Sequence, residues 1–244
     1  MGRGPSIEGR KSAEDAKRAK VFTKLIREIT VATRAGVADP AGNPRLRSAV
    51  DKALSANMTR DTIDRAIKRG SGADGGADMH ELRYEGYGPA GIALIIDCVT
   101  DNPVRTVADV RHGLTKHGGN LGTSGSVAFQ FTRCGELVFT TGGHADAEEK
   151  VLEAALEAGA DDVVNENGES TVLCSPESFE SVQQALIDAG LSAQHAGVVM
   201  RPNNRTAVTG EALETLTDLL EKLDALDDVS EVYHNAALPI EAAG

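Results

Sequence analysis

The sequence lacks most of what would make it a secreted, membrane-spanning or metal-dependent protein. Its three cysteines, Cys98, Cys134 and Cys174, lie 36 and 40 residues apart. That spacing leaves no Cys-x-x-Cys pair, no zinc motif and no even-numbered disulfide framework, so a reducing compartment is the natural reading. The longest strongly apolar run, Ile92 to Ile96, is far too short to span a bilayer, and the charged N-terminus has no signal-peptide stretch. A cytoplasmic protein without membrane contact is expected.

Catalytic signatures are equally scarce. The closest histidines, His112 and His117, are five residues apart and do not share a helix face as zinc ligands four apart would. No metal or cofactor is expected. There is no Gly-x-Ser-x-Gly elbow, and Asp97, Asp101 and Asp109 read as capping and solvating groups. The glycine-rich stretch Gly118–Gly125 looks like a phosphate cradle, but it lacks a Gly-Lys-Ser/Thr ending and leads into a strand, which rules against a nucleotide-binding P-loop. The expectation is a protein that is not an enzyme.

What is present is a reversal of charge along the chain. The first seventy residues hold sixteen Lys and Arg against eight Asp and Glu, a balance of +8, whereas the other 174 carry −20. The overall −12 averages over that boundary. A basic module on an acidic body can engage phosphate with one end while the rest is repelled.

Helical periodicity from Ala13 to Ala35 gathers Val21, Phe22, Leu25, Ile26 and Ile29 on one face and sets Lys17, Lys20, Lys24, Arg27 and Arg34 on the other. Asn43-Pro44 opens a second helix and Thr59 caps a third, which Lys68-Arg69-Gly70 closes with cations at the dipole's negative end and a glycine for a left-handed turn. The polar, glycine-rich run from Gly70 to Gly76 reads as a linker.

Beyond it the pattern becomes mixed. Strands at Ile92–Val99 and Ser126–Phe131 flank a helix opened by Asn102-Pro103. The order β-α-β-β-α-β follows between Glu136 and Met200, which is the ferredoxin-like unit. A final helix and strand, Thr209 to Asn235, have no partner of their own and complete the middle set. The expected fold is α+β: a three-helix domain over residues 1–76, a discontinuous α/β domain over 77–133 plus 203–244, and a ferredoxin-like domain, 134–202, inserted into it. Both α/β domains are expected to be ferredoxin-like.

Two surfaces invite a functional reading. The cationic helices suit phosphate, the alternative being an ordinary solvated face. The segment Tyr84–Gly91 reads as a glycine-rich loop whose Tyr84 and Tyr87 are candidates for base stacking, the alternative being a turn packed at a domain seam.

Several stretches together resemble the YebC/PmpR family, which includes the mitochondrial translational activator of cytochrome c oxidase subunit I. They include Phe22-Thr23-Lys24-Leu25-Ile26-Arg27-Glu28, Asn43-Pro44-Arg45-Leu46-Arg47, Arg65-Ala66-Ile67-Lys68-Arg69-Gly70, Tyr84-Glu85-Gly86-Tyr87-Gly88-Pro89 and Lys116-His117-Gly118-Gly119-Asn120-Leu121-Gly122. The resemblance implies three domains, no catalysis, and a phosphate-facing surface used either on DNA by a transcriptional regulator or on ribosomal RNA by a translation factor that relieves stalling at proline-rich sequences. It carries that surface onto Lys17, Arg18, Lys24, Arg27, Arg45, Arg47, Arg65, Lys68 and Arg69. Many members begin with a Gly-His-Ser-Lys-Trp type segment, whereas this chain begins Gly2-Arg3-Gly4-Pro5 and has no tryptophan. Ile7-Glu8-Gly9-Arg10 also matches a protease-recognition tetrapeptide, yet it runs into the family pattern without a second start methionine and reads as native. Arg3, Arg10 and Lys11 are then expected to form a flexible basic arm. The chain is expected to act as a monomer on nucleic acid, with its acidic domains open to a protein partner. A pure protein-interaction scaffold with a solvated basic stripe is the remaining alternative.

Overall fold

A computed structural model describes residues 7–73 and 78–238, with side chains from residue 16 onward. The chain divides into two compact units, one of residues 1–127 and 206–244, the other of residues 128–205. Among the described residues no helix is long and apolar enough to cross a membrane.

The first unit begins with three helices, α1 (Ile7–Ala35), α2 (Pro44–Ser55) and α3 (Arg60–Gly70). Local chemistry sets their starts. Asn43 accepts the Leu46 N–H at 3.1 Å while its amide donates to the carbonyls of Ala32 and Val37, so one buried side chain both caps α2 and ties it to the end of α1. The Thr59 hydroxyl accepts from Thr62 N–H. Ile29, Leu46, Ala53, Ile63 and Ala66 form the core between the helices.

Two findings here differ from the sequence reading. Helix α1 starts at Ile7, so Arg10 and Lys11 belong to a helical backbone rather than a flexible arm, with side chains outside the described residues; Arg3 lies outside them altogether. Gly70 does not take the left-handed turn, which falls to Gly72 at φ +82°. A Cβ on Gly70 would sit 2.5 Å from the Thr30 carbonyl and 2.7 Å from the Thr33 Cβ, so glycine is there to let α3 touch α1.

The same unit holds β1 (His80–Tyr87), β2 (Ala93–Thr100), α4 (Pro103–Lys116) and β3 (Asn120–Leu121). After the second unit the chain returns to it with β8 (Thr206–Ala207), α7 (Gly210–Asp224), β9 (Val229–His234) and β10 (Ala236–Ala237). The sheet order is β3-β1-β2-β9, antiparallel throughout, and β8 pairs with β10 separately. Strand β2 is buried on both faces: Leu94 and Ile96, with Ile92 just before the strand, meet Val110 and Leu114 of α4 and Leu216, Leu219 and Leu223 of α7, while Ile95 on the reverse face is also fully buried. This sheet departs from the expected strand–helix–strand start, because it opens with the β1–β2 hairpin.

The second unit contains β4 (Phe131–Thr140), α5 (Ala145–Glu157), β5 (Asp162–Glu166), β6 (Glu169–Cys174), α6 (Phe179–Asp188) and β7 (His195–Pro202). Its antiparallel sheet runs β5-β6-β4-β7. Leu137, Phe139, Val172 and Cys174 face Val151 and Ala155 of α5 and Val182 and Leu186 of α6. The expected strand at Ser126–Phe131 is absent; Ala128–Gln130 form a 3-10 turn.

Gly70→Ala tests the α1–α3 contact. Helix propensity alone favours alanine by up to about 1 kcal/mol, but the clash is with backbone, and overpacking costs about 1–3 kcal/mol. The expected result is a net loss of stability of about 1–2 kcal/mol in urea denaturation.

Candidate nucleic-acid interface

Helix α1 does not present its cationic face to solvent as one stripe. Helix α7 ends at Asp224, where its last carbonyls lack helical partners and its dipole is negative. Lys24 Nζ donates to the Asp224 carbonyl at 2.6 Å and to its carboxylate at 2.7 Å, and Lys20 Nζ donates to the Ala225 carbonyl at 3.1 Å. One turn further along α1, Arg27 Nη1 donates to the Asp228 carboxylate and the Asp227 carbonyl, each at 2.6 Å, and to the Val99 carbonyl at 3.1 Å.

Asp228 is the centre of this contact. Its side chain is 8 % exposed, and it accepts from Arg27, from Arg105 of α4 at 2.9 Å and from the Thr106 hydroxyl at 2.8 Å, while its backbone carbonyl accepts the Val99 N–H. Burial by itself pushes this carboxyl up. The Thr106 hydroxyl and the Arg27 and Arg105 guanidiniums outweigh it and hold Asp228 below the usual carboxylate range.

The expectation of an outward stripe is therefore corrected for Lys20, Lys24 and Arg27, which are turned toward the carbonyls and carboxylates of residues 224–228. Arg34 pairs with Asp78 at 3.1 Å. Arg45 is held between Glu28 and Glu81, two nitrogens reaching each carboxylate. Arg47 donates to the Pro40 and Ala41 carbonyls and so pins the α1–α2 loop. The contacts of Lys24, Arg27 and Arg34, and that of Arg45 with Glu81, follow from the acidic balance of the rest of the chain: a basic helix packed on acidic residues is neutralised where the two meet.

A different set of cations is exposed. Lys17 and Arg18 stand on α1, Arg18 over the Phe22 ring at 5.2 Å, and α3 exposes Arg60, Arg65, Lys68 and Arg69. Arg65 pairs with Asp61 one turn back, both side chains well exposed, a bond weak enough to exchange for phosphate. Arg60 escaped the sequence reading because it sits at the first helical turn, although Arg60, Asp64 and Lys68 recur every four residues and share a face. Beside them is a groove of about 390 Å³ lined by Val50, Ile63, Ile67 and the loop at Asp39–Pro40.

The tyrosines do not form a stacking loop. Both lie in strand β1; Tyr84 packs against the first unit's core and the Tyr87 hydroxyl donates to the Ser126 carbonyl at 3.2 Å. Nor is Gly118–Gly125 an anion cradle. Buried Glu85 accepts the N–H groups of Gly125 and Val127, both at 2.8 Å, so a carboxylate of the chain itself fills the place of an anion. Burial, with help from Asp97 and Asp228, pushes the Cys98 thiol up to about 12, which keeps it protonated. Among the described residues no group of three or more His, Cys, Asp or Glu is placed to hold a metal ion.

Fold and surface together define a helical, cation-bearing segment on an antiparallel α/β body. The N-terminal domain model of the TACO1/YebC proteins matches residues 4–73, and the model of their second and third domains matches residues 79–236. The chain belongs to the TACO1/YebC family. It is 56% identical over 237 residues to a protein of Xanthomonas campestris pv. campestris (strain B100), covering 96% of this chain and 97% of that one. It is 55% identical over 244 residues to one of Stenotrophomonas maltophilia (strain K279a), covering 99% of each. Both bear the name probable transcriptional regulatory protein. The crystal structure of a conserved hypothetical protein from Aquifex aeolicus is similar, with a TM-score of 0.83 and 41% identity over 94% of both chains.

Asp228→Ala removes the carboxylate shared by Arg27, Arg105 and Thr106; because Arg27 keeps the Asp227 and Val99 carbonyls and Arg105 keeps Asp101, it is expected to cost about 1–3 kcal/mol. Because the folded-state pKa is depressed, the ionised carboxylate's contribution is complete above the unfolded value of about 3.9 and is lost as pH falls through the lower folded value. Denaturation of both proteins should show a constant gap from about pH 5 to 8 that closes under acid.

Proposed function

We propose that this chain is a non-enzymatic regulator that binds nucleic acid through phosphate contacts on α3 and the exposed part of α1. The observation that carries the reading is the division of the basic segment: Lys20, Lys24 and Arg27 are bonded to residues 224–228, while Arg60, Arg65, Lys68, Arg69, Lys17 and Arg18 are exposed away from that contact. Cations on a rigid helix are what phosphate contact requires, and they carry little sequence preference. The relatives' names support transcriptional regulation; DNA as target and the cytoplasm as location are part of the proposal. Ribosomal RNA would engage the same cations.

The β-α-β-β-α-β order of the second unit supports a ferredoxin-like assignment for it, and the return of the chain at Thr206 supports an inserted domain. The acidic helices of both units are left for a protein partner.

Salt titration separates the two sets of cations. Affinity for duplex DNA should fall steeply with salt, and Arg60→Ala, Arg65→Ala and Arg69→Ala should each lower the log–log slope by about one. Lys24→Ala should leave the slope unchanged and lower the melting temperature instead. A salt-independent affinity, or a slope governed by Lys24, rules the surface out; tighter binding to ribosomal RNA than to DNA moves the target.

A further inference from the structure

The groove on the helical segment has a composition that plain phosphate binding does not require. Its floor is apolar, made by Val50, Ile63 and Ile67, and its volume of about 390 Å³ falls in the range of small-ligand sites. Arg60 and Lys68 stand on its rim two turns apart on α3, which separates their backbones by ~12 Å. Two carboxylates also line the groove, Asp64 between them on α3 and Asp39 on the loop before α2. Asp39 uses one oxygen on the Ala41 N–H, and Asp64 has no ion-pair partner among the described residues.

Each feature narrows the occupant. A bare polyanion gains nothing from the apolar floor and is repelled by the carboxylates. A purely apolar segment would desolvate four charged side chains without pairing them. The combination fits a flat, largely apolar group that carries N–H donors and is flanked by anions. A nucleobase with an exocyclic amine, joined to phosphates on either side, has that chemistry, and Asp or Glu accepting from the cytosine amine is a known pairing. In a duplex that base is stacked and paired, so the occupant must be splayed from a single strand or loop.

We propose that this groove receives one unpaired, amino-bearing nucleobase of a single-stranded nucleic acid, accepted by Asp64 while Arg60 and Lys68 hold the neighbouring phosphates. The proposal rests on the nucleic-acid reading above and gives it a preference for unpaired strands. Base identity enters only at Asp64.

The test compares fluorescein-labelled oligocytidylate and oligouridylate of about eight nucleotides with a duplex of equal length, using the full-length protein. Cytosine and uracil match in size and charge and differ in donor against acceptor at one edge. Oligocytidylate should bind about tenfold more tightly than oligouridylate. Asp64→Asn, at an exposed position, should bring that ratio near one. The ratio is the readout, because removing any carboxylate raises affinity for every polyanion. Ala38→Trp, at an exposed site on the groove wall, should abolish the preference while leaving the melting temperature and the salt slope intact. Equal affinities for the two single strands, or a preference for duplex that Ala38→Trp leaves alone, overturn the groove assignment and leave the cationic surface standing. No salt-sensitive binding to any of the three probes overturns both.

Discussion

The Asp228 carboxylate holds a full negative charge where water is nearly excluded, and the organisation of the first unit depends on how that charge is met. Arg27 arrives from α1 and Arg105 from α4, with Thr106 supplying a hydroxyl. A buried carboxylate with such partners contributes modestly while intact and costs several kcal/mol once a partner is removed. Against a total stability of about 5–15 kcal/mol for a typical domain, that asymmetry couples helical segment and sheet: neither retains its charge balance without the other. Lys20 and Lys24 extend the contact onto the carbonyl end of α7, where cations are favoured by the dipole.

This interlock decides which cations are available to a polyanion. A basic segment of +8 suggests a uniform electropositive patch, but part of its charge is matched within the molecule. The cations exposed away from that contact are concentrated on α3, around a groove with its own carboxylates. Specific neutralisation at one face and exposure at another give the surface a direction, which uniform positive charge would not.

Features encoded within a few residues were legible in the sequence. Asn43-Pro44 and Asn102-Pro103 open α2 and α4, because a cap and the proline after it need nothing from the rest of the chain. The apolar side of α1 was legible too, since Leu25, Ile26 and Ile29 repeat at helical spacing. What lay against its polar side was not: Lys24 and Asp224 are 200 residues apart, and periodicity identifies a face without naming its neighbour. The acidic run Asp224-Ala225-Leu226-Asp227-Asp228 was the one available hint of a counterpart. Strand β1 was hidden by its polar alternation and by Gly86, and β4 was split in the reading at Cys134-Gly135. Gly135 pairs within the sheet, and it is glycine because a Cβ there would lie 2.6 Å from the Cys174 sulfur and 2.8 Å from the Phe179 ring. Glycines chosen for close approach look in sequence like glycines chosen for turns.

The coupling between Arg27 and Asp228 is the quantity on which this view of the molecule turns, and a double-mutant cycle measures it. Arg27→Ala, Asp228→Ala and the double variant, compared by urea denaturation at neutral pH, should show an interaction energy of about 1.5–3 kcal/mol, with the double variant less destabilised than the sum of the two single changes. Additivity within about 0.5 kcal/mol would mean that the two groups act independently, and that the helical segment is held to the sheet by something other than this buried charge.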